Sequence, residues 1–200
     1  MVESQIEIRM KTGVQDRMPP IPANKMTDAQ KKAAAEFLAN RKADVFGPFV
    51  PLLRSPEVML RAMAMGEYLR YRSTLPPRLS ELVILITSRE WTQQYEWNLH
   101  YAEGLKVGLR ASVANAVAEG RRPEGMSDDE EIVYEFSTEL LRTQSVSDRT
   151  YARAIARFGE QGTVDMIGVI GYYTFQAMVL NTARTPLPAG AKPALAPFPR

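Results

Sequence analysis

The stretch QQYEWNLH, residues 93–100, contains the only histidine of the 200-residue chain. Glu96 stands four positions before His100, and Gln93 seven before it. On an α-helix four residues advance about 400° and seven about 700°, so the three side chains fall within about 60° of one another. A carboxylate so placed can hydrogen-bond the imidazole, fix its tautomer and raise its affinity for a proton. That makes a proton donor or acceptor for work near neutral pH. The same spacing also fits an ordinary surface Glu–His pair worth about 0.3 kcal/mol. Two features weigh against the surface reading. Trp97 and Tyr101 flank the face, and Glu81 lies inside the apolar run LSELVILI. A glutamate buried there without a partner is costly, and His100 is the donor to expect for it. Glu81, Glu96 and His100 are therefore the candidate catalytic residues.

One histidine and two carboxylates could also hold iron or manganese. Carboxylate-bridged sites, however, use Glu-x-x-His and a second histidine. Here the spacing is four and there is no second histidine, so neither a metal nor another cofactor is expected.

The elements that must position these side chains are helical. Residues 1–26 read as an irregular arm, because MPPIPANKM carries three prolines and cannot be a helix interior. The arm should lie extended against the body. Thr27 with Gln30 forms a capping box that opens a first helix. GPFVPLLRSP breaks the pattern, and Ser55 with Pro56 starts the next helix, to about Arg72. The paired prolines before Arg78 start another. There Leu79, Leu82, Val83 and Ile86 follow the i, i+3, i+4, i+7 stripe, and Ile84 and Leu85 widen it to a helix buried nearly all round. A strand over VILIT is the alternative.

The helix through YEWNLHYAEGLKV stops at Gly108, and RASVANAVAEG is a short helix closed by Gly120. Ser127 with Glu130 is a second capping box. Ser147 caps a short helix, and a last helix spans about 162–182. Its run VDMIGVIGYYTFQAMVL contains Asp165 and Gln176 and is short for a membrane span, so it reads as a core helix. No hairpin signal occurs. The expectation is an all-α domain of about seven helices over 27–185, with a Pro-rich tail at 186–200.

Composition narrows the function classes. Hydrophobic residues make up 45% and charged residues 24%, the profile of a soluble globular protein. A net charge of +2, with basic residues scattered among acidic ones, gives no nucleic-acid footprint. The absence of cysteine rules out disulfides, thiol peroxidase chemistry and thiolate metal sites, and fits a reducing cytoplasm. MVESQIEIRMK lacks the apolar core of a secretory signal.

Glu81, then Gln93, Glu96 and His100, followed by GLKVGL, resemble the carboxymuconolactone decarboxylase family within the alkylhydroperoxidase D-like superfamily. The likeness runs from LLRSPEV through LPPRLSELVILITSREWTQQYEWNLH to GYYTFQAMVLNTARTPLP, about residues 50–188. The resemblance implies an alkylhydroperoxidase D-like helical bundle. In the peroxidase branch two cysteines stand where this chain has Gln93 and Glu96, with the histidine and glutamate at His100 and Glu81. Without thiols the disulfide relay of that branch is unavailable.

What the resemblance implies instead is the cofactor-free decarboxylase branch, which converts 4-carboxymuconolactone to the enol-lactone. Loss of CO₂ leaves a dienolate-like charge, and the enzyme must bind the substrate anion, stabilise that charge and return a proton to carbon. His100 would donate the proton or polarise the carbonyl, with Glu96 and Glu81 orienting it or relaying the proton. Arg78 and Arg72, at helix ends, would hold substrate carboxylates. Trp97 and Tyr173 would line the pocket, and Gln93 would reach the lactone carbonyl. The superfamily commonly forms trimers or hexamers, so a homo-oligomer is expected. A non-catalytic oligomeric binding protein, or a hydrolase, isomerase or peroxide-handling protein on the same frame, remains an alternative.

Overall fold

The computed structural model describes residues 15–196. Among them are eight α-helices and no strand. They are α1 (Asp28–Arg41), α2 (Phe49–Leu52), α3 (Pro56–Tyr71), α4 (Pro77–Glu90), α5 (Gln94–Lys106), α6 (Ala111–Ala118), α7 (Asp128–Thr143) and α8 (Asp148–Ala183). The all-α expectation holds, and the strand alternative over VILIT does not. Residues 1–14, including the whole stretch read for a secretory signal, and residues 197–200 lie outside the described residues.

The chain divides into two compact units. The first holds residues 15–60 together with 178–186. Thr27 accepts from the Gln30 backbone N–H while the Gln30 side chain accepts from the Thr27 N–H, the capping box read from the sequence. Phe37, Phe46 and Phe49 pack edge-on or tilted, with centroids 4.9 to 6.3 Å apart. The short helix α2 occupies GPFVPLLRSP, where the sequence showed only a break. It is barely one turn long, too short to leave a periodic signature. The chain before α1, which holds a single 3-10 turn at Ala23–Lys25, is tied down by Arg17 N–H donating to the Ala183 carbonyl at 2.8 Å and Arg54 donating to the Pro19 carbonyl at 2.8 Å. This unit contains an apolar cavity of about 340 Å³ whose single titratable lining residue is Asp44.

The second unit holds 61–177 and the tail from 187. Its centre is α4, in which every residue from Leu79 to Arg89 is buried. α4 packs against α5, α6 and α7. Within this unit α3 and α8 meet at small residues. A Cβ on Gly66 would lie 2.4 Å from the Tyr172 hydroxyl, and one on Gly168 would lie 3.0 Å from Leu69. The buried Asp165 carboxylate of α8 accepts from the Tyr68 hydroxyl (3.0 Å) and from both the Thr74 N–H (2.8 Å) and hydroxyl (2.9 Å), so it is satisfied where it sits.

The short helix expected from Ser147 through Ile155 and the last helix expected at about 162–182 are the two arms of α8, separated by the non-helical kink at Gly159 (φ 68°, ψ −179°). One glycine in a conformation closed to other residues redirects the axis without a loop. By length and composition α8 could cross a membrane, but 56% of its most apolar window is buried within the chain, as in a core helix. The Pro-rich tail is also engaged. Gln94 donates to the Leu195 carbonyl (2.6 Å) and accepts from the Ala194 and Leu195 N–H groups, while Asn98 donates to the Lys192 carbonyl (3.0 Å). Leu195 is buried. The tail lacks a helix of its own, and the α5 side chains bind its backbone polar groups.

Candidate active site

Gln93 is the residue from which α5 starts. Its backbone is extended (φ −86°, ψ 103°) and its side-chain oxygen accepts from the Tyr95 N–H at 2.6 Å. The expectation that Gln93 shares a helical face with Glu96 and His100 is therefore corrected. It sits one residue before the helix, where a polar side chain caps exposed N–H groups, and it is buried.

From Gln94 onward the helix is regular, and the Glu96–His100 spacing acts as read. The His100 ring is 2% exposed. Its Nδ1 lies 2.7 Å from a Glu81 oxygen on α4, and its Nε2 lies 3.4 Å from a Glu96 oxygen one turn earlier on α5. Gly104 lets α5 come close to α4 here, since a Cβ at that position would lie 3.6 Å from the Glu81 Cβ. Tyr173 of α8 packs edge-on against the imidazole, with centroids 4.9 Å apart and planes at 86°.

Both ring nitrogens thus face carboxylates. Burial works to lower the proton affinity of His100, but the hydrogen bonds and charges of Glu81 and Glu96 outweigh it and hold the pKa above the ordinary imidazole value. The Tyr173 phenol, buried among these acids, is held well above its ordinary value, burial being the largest cause. The arrangement is an imidazole clamped between two acids that favour its protonated form. The tighter Glu81 contact fixes ring orientation. The looser Glu96 contact is the side on which a proton can be exchanged. Among the described residues no group of three or more histidine, aspartate or glutamate side chains is arranged to hold a metal ion.

The cations fall elsewhere than expected. The Arg78 guanidinium is ion-paired with Glu130 and lies 3.3 Å from Asp129 on α7. Glu130 is 2% exposed, is also paired with Arg110 (3.0 Å), and accepts from the Ser127 N–H (2.8 Å). Arg78 is thus committed to a structural network at the start of α7. Arg72 is exposed just past the end of α3.

The guanidinium whose charge reaches the site is Arg70. It is coupled to Tyr173 and Glu81, and these neighbours outweigh its burial and raise its proton affinity. The sequence reading missed it. Two residues turn about 200° on a helix, so Arg70 and Arg72 point to opposite sides, and only packing decides which faces inward. Trp97 is buried at 2% and packs 6.1 Å from the Tyr101 ring, a core position one turn before Tyr101.

A second missed residue is Gln176. It is 1% exposed, and neither its side-chain oxygen nor its nitrogen has a hydrogen-bond partner among the described residues. Each unpaired end costs roughly 1–3 kcal/mol. The signal available was an amide inside an apolar run.

Fold and site together define an all-helical protein with a buried acid–base cluster on two packed helices. Residues 56–128 match the model of the Carboxymuconolactone decarboxylase family. Glu81, Glu96 and His100 all fall inside the matched stretch. The all-helical architecture is consistent with the alkylhydroperoxidase D-like bundle that the resemblance implied. No curated protein matches the chain.

Proposed function

We propose that this protein is a cofactor-free carboxy-lyase acting on 4-carboxymuconolactone or a related small carboxylated lactone. The observation that carries the reading is the clamp on His100, a buried ring with a carboxylate at each nitrogen. When CO₂ leaves a carbon conjugated to the lactone, the electron pair of the broken bond spreads onto the ring carbonyl. A proton must then be delivered to carbon. An imidazolium kept charged by two acids supplies that proton through the Glu96 side, and Glu81 holds the ring while it does so. The absence of cysteine removes the thiol relay that peroxide reduction in this superfamily requires.

The test is CO₂ release from 4-carboxymuconolactone by the purified protein, with and without chelator. Release that survives chelation supports the reading. No release above the uncatalysed rate ends it. A rate restored only by added iron or manganese replaces it with a metal mechanism.

A further inference from the structure

The clamp poses an electrostatic problem. Once protonated, His100 balances only one of the two carboxylates beside it, which leaves a negative charge in excess at a buried place that, on the lyase reading, must receive an anion. Arg70 offsets it. Arg78, Arg110, Arg122, Arg142 and Arg153 each pair with a carboxylate. Arg70 has no ion pair among the described residues; its guanidinium lies over the Tyr71 ring, 5.1 Å from the centroid, and its buried Nε has no hydrogen-bond partner.

Gln176 is the second polar group left open. It follows Tyr173 by three residues on α8, so the two side chains share a face about 5–6 Å apart. Helical side chains lean toward the N-terminus, which carries the Gln176 amide back over the turn that bears Tyr173. Tyr173 in turn has its ring against His100, and its hydroxyl makes no hydrogen bond to any described residue. A partly buried guanidinium whose charge acts on Tyr173, and an unpaired buried amide one helical turn along from that tyrosine, are what a polar ligand would satisfy.

We propose that Arg70 and Gln176 form the recognition face of this site, with Arg70 taking a substrate carboxylate and the Gln176 amide donating to the ring carbonyl. The assignment rests on the lyase reading and adds to it the two residues that choose the substrate. Arg70 selects for the anion. Gln176 selects for a carbonyl, because a ligand without one leaves the amide unpaired.

Calorimetric titration with three inert probes tests each half. The first is 5-oxotetrahydrofuran-2-carboxylate, a saturated lactone acid. The second, tetrahydrofuran-2-carboxylate, lacks the carbonyl. The third, the methyl ester of the first, lacks the charge. Gln176→Met should weaken the lactone acid about tenfold and leave tetrahydrofuran-2-carboxylate unchanged. Arg70→Met should weaken both acids about tenfold or more and leave the ester unchanged. Gln176→Met should also raise the thermal midpoint, since an apolar chain of similar shape replaces an unpaired amide.

Three results would overturn the proposal: no saturable binding of the lactone acid by the wild type, equal weakening of both acids by Gln176→Met, or unchanged binding with a lowered midpoint. The last would mark the amide as structural, satisfied by buried water. Because the probes do not react, a protein that binds them as described but releases no CO₂ keeps this recognition face and loses only the lyase assignment.

Discussion

His100 and Glu130 are equally hidden, each 2% exposed, and each is held by charged side chains from other parts of the chain. They behave differently. Glu130 is a closed account of charges. Arg78 and Arg110 reach it with heads that stay partly in solvent, and the Ser127 N–H takes a lone pair at the start of α7. Burial works against its ionised form, but these partners bring its pKa below the ordinary value. His100 sits in the opposite imbalance, one base between two acids, with the Gln176 amide unpaired one helical turn along from Tyr173. A buried charge by itself says little about function. What separates the two clusters is whether every polar group already has its partner.

Substitution at each centre should separate them most clearly. His100→Gln keeps the shape and a donor but cannot carry a proton, and turnover should fall by about 10²-fold or more. An unchanged rate of CO₂ release would remove His100 from proton transfer. Glu130→Ala should do the reverse. It leaves Arg78 with only Asp129 and should cost about 1–3 kcal/mol in urea unfolding, a loss moderated because both arginines are partly exposed. The rate per folded molecule should stay within about twofold. A rate that collapsed while stability held would place Glu130 in the chemistry.

The pH dependence should differ in sign. The His100 pKa is raised on folding, so its contribution is complete below about 6.5 and is lost as pH rises through the higher folded value. The Glu130 pKa is lowered, so its contribution is complete above about 4.5 and is lost as pH falls through the lower folded value. Unfolding free energy measured against pH in His100→Gln and Glu130→Ala should flatten the alkaline and acid arms respectively. Glu81→Gln should move the alkaline limb of kcat/KM to lower pH, since it removes the strongest support of the imidazolium. A limb that stays in place would show that Glu81 does not set the His100 protonation. The smallest effect belongs to Arg72→Met, which should leave KM within about twofold because the side chain faces solvent.

The same contrast explains what could be read from the residues alone. The Glu81–His100 contact was legible because a carboxylate inside LSELVILI must find a donor and only one histidine exists. The capping boxes at Thr27 and Ser127 were legible because they are local. Arg78 was misplaced because its acidic partners lie about fifty positions away, at the start of α7. Gln93 was misplaced by a single residue, the difference between the last position before a helix and the first inside it, and that is the boundary which periodicity resolves least well. Arg70 required knowing which side of α3 faces inward. Gln176 was visible as a polar residue in an apolar stretch, but its lack of partners is a property of packing.

The clasp between Gln94 and residues 194–195 has one more consequence. The first turn of α5 carries Glu96, and a strip of chain about a hundred positions downstream grips that turn. Proteolytic trimming back to Pro186 would let go of the turn while sparing every residue of the acid–base cluster. The injury should surface first as a loosened Glu96 and a slower proton, well before the molecule melts.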